Sequence, residues 1–369
     1  MRILVAPDKF KGSLRAREAA QHIASGLREA LPDAQIVNLA VADGGEGTAE
    51  VICAAAGGEW RECNVHDPLG AIVTARYCAI ENGATAVMEM SEAAGLWRVP
   101  EQLRNPETAS SFGVGEMLLD AARRGAQQII IGLGGSATND GGFGMARALG
   151  FRFFDAAGAE IGETVGKLLR LDRILRPAAL RLPPISAAAD VNNPLLGHRG
   201  ATRVFGPQKG AAPQQIELLE EALARLGDVV ARDVGRELRE LAGSGAAGGL
   251  GFGLVAFCGA SIHSGFDVVA KHIGLEAAVQ ESDIVITGEG YLDAQTLHGK
   301  APAGVARLAR KFGKRVFAVV GHFDGAPGVQ ELFNGIVMAK PLAMSAAEAM
   351  KDAPKLLRSA ATRLAAHIV

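Results

Sequence analysis

The sequence predicts an α/β protein of two domains. One is a doubly wound (Rossmann/flavodoxin-like) sheet built from both chain ends, and a second α/β domain is inserted into it. Three observations lead to this prediction. The chain has 369 residues, more than one ordinary hydrophobic core contains. Short apolar runs alternate with helical patterns at both ends, which is typical of α/β folds. The middle of the chain follows a different pattern.

The N-terminal segment alternates strand and helix patterns. The apolar run Ile3–Ala6 predicts a buried parallel strand. From about Ser13 to Pro32, apolar residues recur every three or four positions, which predicts a helix. The run "IVNLAV" then leads into an acidic glycine loop, "ADGGEGT", and another helix.

The C-terminal segment has the same alternation. "DIVITGEG" predicts a strand followed by a loop, and "APAGVARLARKFG" predicts a helix with Pro302 in its first turn and Gly313 after its end. "RVFAVVG" and "GIVMAK" predict two more strands. We therefore expect residues 1–65 and 282–369 to share one sheet.

The inserted domain is expected to span residues 66–281, with the active site in the cleft between the two domains. Within it, "TARYCAIENGATAVMEM" predicts a hairpin around Asn82 and Gly83. A long helical stretch runs from Pro213 to Ala242 and is expected to be interrupted at Gly227 and Gly235.

Composition and charge exclude several classes of function. The net charge is −2, and no basic block with aromatic residues indicates nucleic-acid binding. The most apolar stretch, "GLGFGLVAFCGASI", is about 14 residues long and too short to span a bilayer. The four cysteines have no framework spacing, so we expect reduced thiols and a cytoplasmic protein.

Five predicted strands end in loops that combine glycine with acidic, amide or basic side chains. In an open α/β sheet, ligands bind beyond the carboxyl ends of the strands, so these loops are the candidate site. They contain, in chain order, Asp8, Lys9 and Lys11; Asp43 and Glu46; Gly134, Gly135, Ser136, Asn139 and Asp140; Asp190; and Glu289, Asp293 and Lys300.

The loop in "IIIGLGGSATNDGG" is the main candidate for binding nucleotide phosphates. Gly134 and Gly135 allow a ligand to approach the backbone, and their N–H groups can form a phosphate cradle. Asn139 and Asp140 could then hold a cation or a ribose. The alternative is a plain strand-to-helix turn, in which these two residues cap a helix that begins near Gly142.

Known nucleotide motifs do not explain this loop. The P-loop pattern GxxxxGK[ST] is absent. "GSGAAG", residues 243–248, matches GxGxxG but follows a helical pattern, so a close backbone approach or a flexible connection is the better interpretation. Neither GxSxG nor HExxH occurs.

The remaining groups suit phosphoryl transfer. This reaction needs positioned phosphates, a metal ion, cations on the developing charge and a base for the acceptor hydroxyl. Carboxylates without histidine favour Mg²⁺ as the metal. Asp190 ends an apolar run before the turn "VNNP", which makes it the first candidate for the base or a metal ligand. An Asx-turn without catalytic function is the alternative.

Taken together, the segments resemble the bacterial glycerate kinase family, a class of kinases without a P-loop. The similar motifs are "APDKFKGSL", "ADGGEGT", "NPETASSFGVGEM", "GLGGSATNDGG", "DVNNPLLGHRGA", "FGPQKGA", "GAAGGLGFG", "SGFD" and "TGEGYLDAQTLHGKAPAGVA". The resemblance implies ATP-dependent phosphorylation of D-glycerate, most often at the 2-hydroxyl, with Mg²⁺. It also implies two α/β domains with the active site between them.

The chemistry of the side chains suggests a role for each candidate, since the resemblance alone assigns none. Gly134, Gly135, Ser136, Asn139 and Asp140 are expected to bind the nucleotide phosphates. Lys9 and Lys300 are expected to act in catalysis with Asp190, and Asp190 and Glu289 to bind Mg²⁺. The expected substrate or cleft residues are Asp8, Lys11, Asp43, Glu46, Lys209 and Asp293. A solvated surface charge is the alternative for each lysine.

Two other functions stay open at the level of the sequence. A Mg²⁺-dependent phosphatase of a small sugar-acid phosphate would use the same carboxylates without ATP. A non-catalytic regulator would bind a nucleotide or a sugar acid without converting it. The oligomeric state is also open, with a homo-oligomer among the options.

Overall fold

The computed structural model describes residues 1–341 and 343–368, except for the side chains of Gln295 and His298. The chain divides into two compact units. The first unit contains Met1–Ala56 and Ser264–Val369, and the second contains Gly57–His263.

The strands are numbered in chain order. They are β1 (Arg2–Val5), β2 (Gln35–Asn38), β3 (Glu59–His66), β4 (Ile72–Ile80), β5 (Thr85–Glu89), β6 (Gln128–Gly132), β7 (Arg152–Asp155), β8 (Leu171–Leu175), β9 (Ile185–Ala189), β10 (Ser261–Ser264), β11 (Ile284–Thr287), β12 (Tyr291–Leu292), β13 (Arg315–Val320), β14 (His322–Phe323) and β15 (Gly335–Met338).

The helices are numbered in the same way. They are α1 (Ala16–Ala30), α2 (Thr48–Ala56), α3 (Ser91–Ala94), α4 (Phe112–Arg123), α5 (Phe143–Ala148), α6 (Ala201–Phe205), α7 (Pro213–Val234), α8 (Ala246–Cys258), α9 (Gly265–His272), α10 (Leu275–Gln280), α11 (Ala301–Lys311), α12 (Pro327–Gln330), α13 (Ala346–Lys351) and α14 (Ala353–Ala365).

The first unit is built on a five-stranded sheet with the order β15-β13-β11-β1-β2, in which every pair is parallel. Counted within this sheet alone, the order is 2-1-3-4-5, as in flavodoxin-like folds. The direction in which the strands are added reverses between β1 and β11. The prediction of a doubly wound sheet from both chain ends is therefore confirmed.

The second unit contains a six-stranded sheet with the order β10-β9-β6-β5-β4-β3. β3 and β5 run antiparallel to β4, whereas β5, β6 and β9 pair in parallel. The predicted hairpin is present as β4 and β5, and Asn82 and Gly83 in its turn have φ of 56° and 88°. The two-stranded sheet β7-β8 lies in the same unit.

Two details differ from the predictions, the bounds of the units and the course of α7 at Gly227. Along the chain, the boundaries between the units fall at residues 56/57 and 263/264, whereas 65/66 and 281/282 were predicted. The reason is that β3 pairs with β4 in the second unit, while α9 and α10 belong to the first. α7 continues through Gly227 and ends before Gly235, whose φ is +74°. A Cβ atom at Gly227 would lie 2.8 Å from the Cδ atom of Arg239, so this glycine makes room for a neighbour and does not break the helix.

The cysteines also differ in part from the prediction of reduced thiols. Cys63 and Cys258 are free thiols, whereas Cys53 and Cys78 are disulfide-bonded. Neither spacing nor composition reveals such a bond, because it depends on which cysteines the fold brings together. No helix among the described residues combines the length and apolar character that a bilayer crossing requires.

Packing of α1 on α14 leads to a prediction about stability. Ile23 and Leu27 of α1 share a core with Leu357 and Leu364 of α14. A Cβ atom at Gly26 would lie 2.1 Å from the carbonyl oxygen of Arg358. We expect Gly26→Ala to lower the free energy of unfolding by roughly 1–3 kcal/mol, although alanine favours helices, because the helices must separate.

Urea unfolding monitored by circular dichroism measures this change. Gln21→Ala, an exposed position on the same helix, is the control and should stay within about 0.5 kcal/mol of the wild type. A Gly26→Ala protein as stable as the control would contradict the close helix contact.

Candidate active site

Two loops of the first unit lie side by side where its sheet reverses direction. Asp8 follows β1, and Glu289 follows the neighbouring strand β11. The backbone N–H of Asp8 donates to the carbonyl of Gly288 at 2.8 Å, and the hydroxyl of Thr287 donates to the carbonyl of Ala6 at 2.8 Å. Parallel pairing therefore holds both carboxylates at one edge of the sheet, where ligands bind in folds of this class.

Lys9 lies between two carboxylates of these loops. Its Nζ atom is 3.9 Å from Oδ1 of Asp8 and 3.6 Å from Oδ1 of Asp43. The Asp43 carboxylate also accepts a hydrogen bond from the N–H of Gly45 at 3.1 Å. The loops after β1 and β2 are thus joined through one ammonium group.

Lys300 lies between two carboxylates of the loop after β11. Its Nζ atom is 3.3 Å from Oδ1 of Asp293 and 3.6 Å from Oε2 of Glu289. Thr296 donates to the other oxygen of Glu289 at 2.9 Å. We call Lys9 with Asp8 and Asp43, and Lys300 with Glu289 and Asp293, the two acid–lysine groups.

Burial raises the pKa of one carboxylate in each group. It raises the pKa of Asp8 from 3.8 to about 7, an effect that Lys9 partly offsets and Asp43 reinforces. It also raises the pKa of Glu289 to about 6, against the opposing effects of Lys300 and Thr296. Asp43 contributes to both shifts, so the two groups share one electrostatic environment. Such perturbed carboxylates are typical of functional sites.

A glycine of the motif "SGFD" supports the loop after β2. A Cβ atom at Gly265 would lie 1.9 Å from the carbonyl oxygen of Asp43 and 2.5 Å from the Cα atom of Gly44. Only glycine permits this contact between the start of α9 and the acidic loop. Lys11 and Glu46 are exposed, and the structure does not place them in the acid–lysine groups.

The glycine loop of the second unit follows β6 and surrounds a structural carboxylate. Asp140 is buried, and its Oδ2 atom accepts hydrogen bonds from the N–H and hydroxyl of Ser111 at 2.9 and 2.7 Å. It also accepts from the N–H groups of Gly142 and Gly144 at 3.1 and 3.0 Å. α5 begins at Phe143, directly after Gly142. The Asp140 side chain thus accepts a hydrogen bond from the first turn of α5, while Gly142 is the N-cap residue of this helix.

Lys209 is buried behind the same loop. Its side chain is 2% exposed, and its Nζ atom donates to Oγ of Ser136 and to the carbonyl of Thr138, both at 2.7 Å. Burial lowers the pKa of Lys209 to about 7, although Asp140 acts in the opposite direction. Lys209 was expected to contact the substrate, and the structure places it beneath the loop surface instead.

Two buried polar atoms of the loop have no hydrogen-bond partner among the described residues. They are Oδ1 of Asn139 and Oγ1 of Thr138. The amide nitrogen of Asn139 donates to the hydroxyl of Thr202 at 2.9 Å. The sequence pattern gives no functional signal for Ser111, Thr138 or Thr202, because a hydroxyl carries no pattern of its own before its neighbours are known.

The segment "GAAGG" packs directly on this loop. Ala247, Gly248 and Gly249 have φ of 53°, 67° and 85°. A Cβ atom at Gly248 would lie 1.9 Å from the carbonyl oxygen of Thr138, and the N–H of Gly141 donates to the carbonyl of Gly248 at 3.1 Å. The interpretation of this segment as a close backbone approach is confirmed.

Asp190 directly follows β9, the parallel neighbour of β6. The N–H of Leu133 donates to the carbonyl of Ala188 at 3.0 Å, which fixes the two strand ends beside each other. Asp190 and the glycine loop therefore lie at the same edge of the second sheet. Within the described residues, no group of three or more His, Cys, Asp or Glu side chains is arranged to hold a metal ion.

The raised pKa of Asp8 predicts how stability depends on pH. Between pH 4 and 7 the folded chain holds a proton on Asp8 that the unfolded chain releases, so stability falls as the pH rises through this interval. Asp8→Asn cannot ionise. As the pH rises from 4 to 7, we expect the free energy of unfolding of the wild type to decrease relative to that of this variant. The decrease should be a few kcal/mol, since each unit of pKa shift corresponds to about 1.4 kcal/mol.

Urea titrations at pH 4.5, 6 and 8 measure the difference, with Asp33→Asn at an exposed position as the control. The difference between wild type and Asp33→Asn should not vary over this range. If the Asp8→Asn difference is also independent of pH, Asp8 has an ordinary pKa in the folded chain.

Comparisons with known proteins identify the family of the chain. The model of the glycerate kinase family matches residues 3–369. The chain is 46% identical over 333 residues to glycerate 2-kinase of Escherichia coli K12, which covers 89% of this chain and 87% of that protein. It is 42% identical over 370 residues to glycerate kinase of Halalkalibacterium halodurans, and the match covers 98% of this chain and 97% of that protein.

A solved structure is similar over the whole chain. The crystal structure of glycerate kinase 2 from Salmonella typhimurium LT2 has a TM-score of 0.86 and 42% sequence identity, and the match covers 100% of this chain and 98% of that one. The resemblance seen in the sequence motifs is thus confirmed. The chain belongs to the glycerate kinase family and is an enzyme of that family.

Proposed function

We propose that the chain transfers the γ-phosphoryl group of ATP to the 2-hydroxyl of D-glycerate and releases 2-phosphoglycerate and ADP. The observation that carries this proposal is the pair of acid–lysine groups at the point where the first sheet reverses direction. The name of the Escherichia coli relative supports the 2-position as the site of phosphorylation.

The acid–lysine groups have the composition that phosphoryl transfer needs. Negative charge spreads over the phosphoryl oxygens in the transition state, and fixed cations stabilise it. Lys9 and Lys300 are held at 3.3–3.9 Å from their carboxylates, so each ammonium is positioned before a ligand arrives. About a quarter of each lysine side chain is exposed, 24% for Lys9 and 27% for Lys300, which leaves both accessible to a phosphate.

Glu289 and its neighbour Asp8 fit a role in binding Mg²⁺. Protein sites usually hold this ion through one or two carboxylates together with phosphate oxygens and waters, so a ready-made set of three protein ligands is not required. Mg²⁺, when bound, would neutralise phosphate charge. The buried carboxylates would be stabilised in their ionised form by the same ion, which offsets the raised pKa of each.

In the second unit, Asp190 and the glycine loop are proposed to position ligands. The half-buried Asp190 directly follows β9 and is followed by "VNNP". We propose that its carboxylate accepts the proton of the acceptor hydroxyl. The backbone of Gly134 and Gly135 lies near the surface beside Ser136, which suits contact with an anionic group of a ligand.

The direct test combines the chain with ATP, Mg²⁺ and D-glycerate and follows the products by phosphorus NMR. We expect 2-phosphoglycerate and ADP in equal amounts, and no phosphoglycerate when ATP is omitted. A 3-phosphoglycerate signal would correct the position of transfer. Release of inorganic phosphate from added phosphoglycerate without ATP would favour a phosphatase, and binding of both substrates without ADP release would favour a regulator.

Replacement of Asp190 by Asn tests the proposed base. The variant keeps the shape of the side chain and loses the proton acceptor, so kcat should fall by about 10²–10⁴-fold with little change in either KM. The measurement is kcat at increasing Mg²⁺ concentration. A low kcat that does not respond to Mg²⁺ supports the base.

A kcat that excess Mg²⁺ partly restores would instead assign Asp190 to the metal ion. Asp172→Asn is the matched control in the same unit, since the Asp172 side chain is 44% exposed and lies 3.8 Å from a guanidinium nitrogen of Arg225. The control should keep wild-type kinetics. Wild-type kinetics of Asp190→Asn at every Mg²⁺ concentration would exclude both roles.

A further inference from the structure

Lys209 is the most deeply buried cation beside the candidate site, and the ion pairs of the described residues do not include it. A lysine is rarely buried so completely, because the charged form loses its hydration. Two of its three N–H groups are used, on Oγ of Ser136 and on the carbonyl of Thr138. Asp140 is the acidic group that acts on Lys209 through space, and its own oxygens are occupied by Ser111 and backbone N–H groups.

Backbone contacts that do not involve Lys209 also hold the glycine loop. The N–H of Ala137 donates to the carbonyl of Ala94 at 2.9 Å, and the N–H of Leu96 donates to the carbonyl of Gly135 at 2.7 Å. On the other side, Gly248 packs against the carbonyl of Thr138. The backbone is therefore fixed from two sides before the lysine is considered, which points to a function other than support.

The contact between Lys209 and Ser136 determines what the serine can do. A hydroxyl has one hydrogen to donate and two lone pairs to accept. When Lys209 is protonated its ammonium has no lone pair, so it donates and the oxygen of Ser136 accepts. The hydrogen of Ser136 is then directed to a different atom, and no acceptor for it occurs among the described residues. Ser136 is 7% exposed and adjoins the exposed Gly135, so it lies next to the exposed part of the loop.

We propose that Lys209 is a positioning residue that makes Ser136 a hydrogen-bond donor to an oxyanion of a substrate. The inference rests on the proposed function, because that function brings oxyanions to this loop. A donor polarised by a neighbouring cation forms a stronger hydrogen bond, and the charge behind the loop attracts an anion. The oxyanion belongs either to a phosphate of the nucleotide or to the carboxylate of glycerate.

Calorimetric titration of ADP and of D-glycerate, each alone, tests the proposal without turnover. We expect Ser136→Ala to weaken binding of one of the two ligands by about 10–100-fold, the usual effect of a lost hydrogen bond to a charged group. Loss of ADP affinity assigns the oxyanion to a phosphate, and loss of glycerate affinity assigns it to the carboxylate. Unchanged affinity for both ligands overturns the proposal.

A double-mutant cycle tests whether Lys209 acts through Ser136. Lys209→Met should weaken the same ligand as Ser136→Ala, and the double variant should bind no more weakly than Lys209→Met alone, because the two residues act as one unit. Additive losses would show that Lys209 acts independently of the serine and would overturn its positioning role.

A third variant keeps the proposal testable if Lys209→Met does not fold. Ser136→Thr retains the hydroxyl and should keep most of the affinity that Ser136→Ala loses, whereas equal losses in both variants overturn the role of the hydroxyl. The outcome is separate from that of the proposed function. Phosphorus NMR on the wild type decides whether glycerate is phosphorylated, and calorimetry decides whether Ser136 binds an oxyanion.

Discussion

The parallel pairing of β1 with β11 is the interaction on which the architecture and the candidate site depend. It joins strands from opposite ends of the chain, and the hydrogen bond from Thr287 to Ala6 links two residues that are 281 positions apart. All of the second unit lies within that separation, so it has to be an insertion. The same pairing creates the reversal of strand order and places Asp8 beside the loop that carries Glu289.

The two acid–lysine groups are maintained at a cost in stability. Burial disfavours the ionised forms of Asp8 and Glu289, and the nearby ammonium groups only partly compensate. A chain selected for stability alone would place apolar residues here. Since the hydrophobic core of the sheet lies directly below, in Ile3, Val5 and Ile286, the fold tolerates this cost at its edge.

The sequence predicts the fold class well because that class follows from local periodicity and chain order. The hairpin at Asn82 and Gly83 was predictable for a similar reason, since positive φ at adjacent positions favours these residue types. The sequence could not predict that β3 belongs to the second unit, because the alternation of apolar and polar residues does not determine which sheet a strand joins. The disulfide bonding of Cys53 and Cys78 depends on the fold in the same way.

Prediction from the sequence is limited in the same way for the side chains of the candidate site. The positions of its loops follow from the ends of predicted strands, and the structure keeps each loop at a sheet edge. The individual roles depend on neighbours that are distant along the chain. The Asp140 carboxylate is held by Ser111, 29 residues earlier in the chain, and Lys209 is buried because it reaches a loop 73 residues away. No local pattern contains either fact.

Lys9, Lys300 and Lys209 differ in one physical property, and that property separates the roles that we propose for them. Lys9 and Lys300 have carboxylate partners and keep about a quarter of their side chains exposed, 24% and 27%, which leaves each ammonium accessible to solvent. Lys209 has neutral partners and is 2% exposed. It cannot exchange partners without leaving buried acceptors unpaired, which costs more than a typical hydrogen bond contributes. Its charge therefore acts on ligands through the loop in front of it.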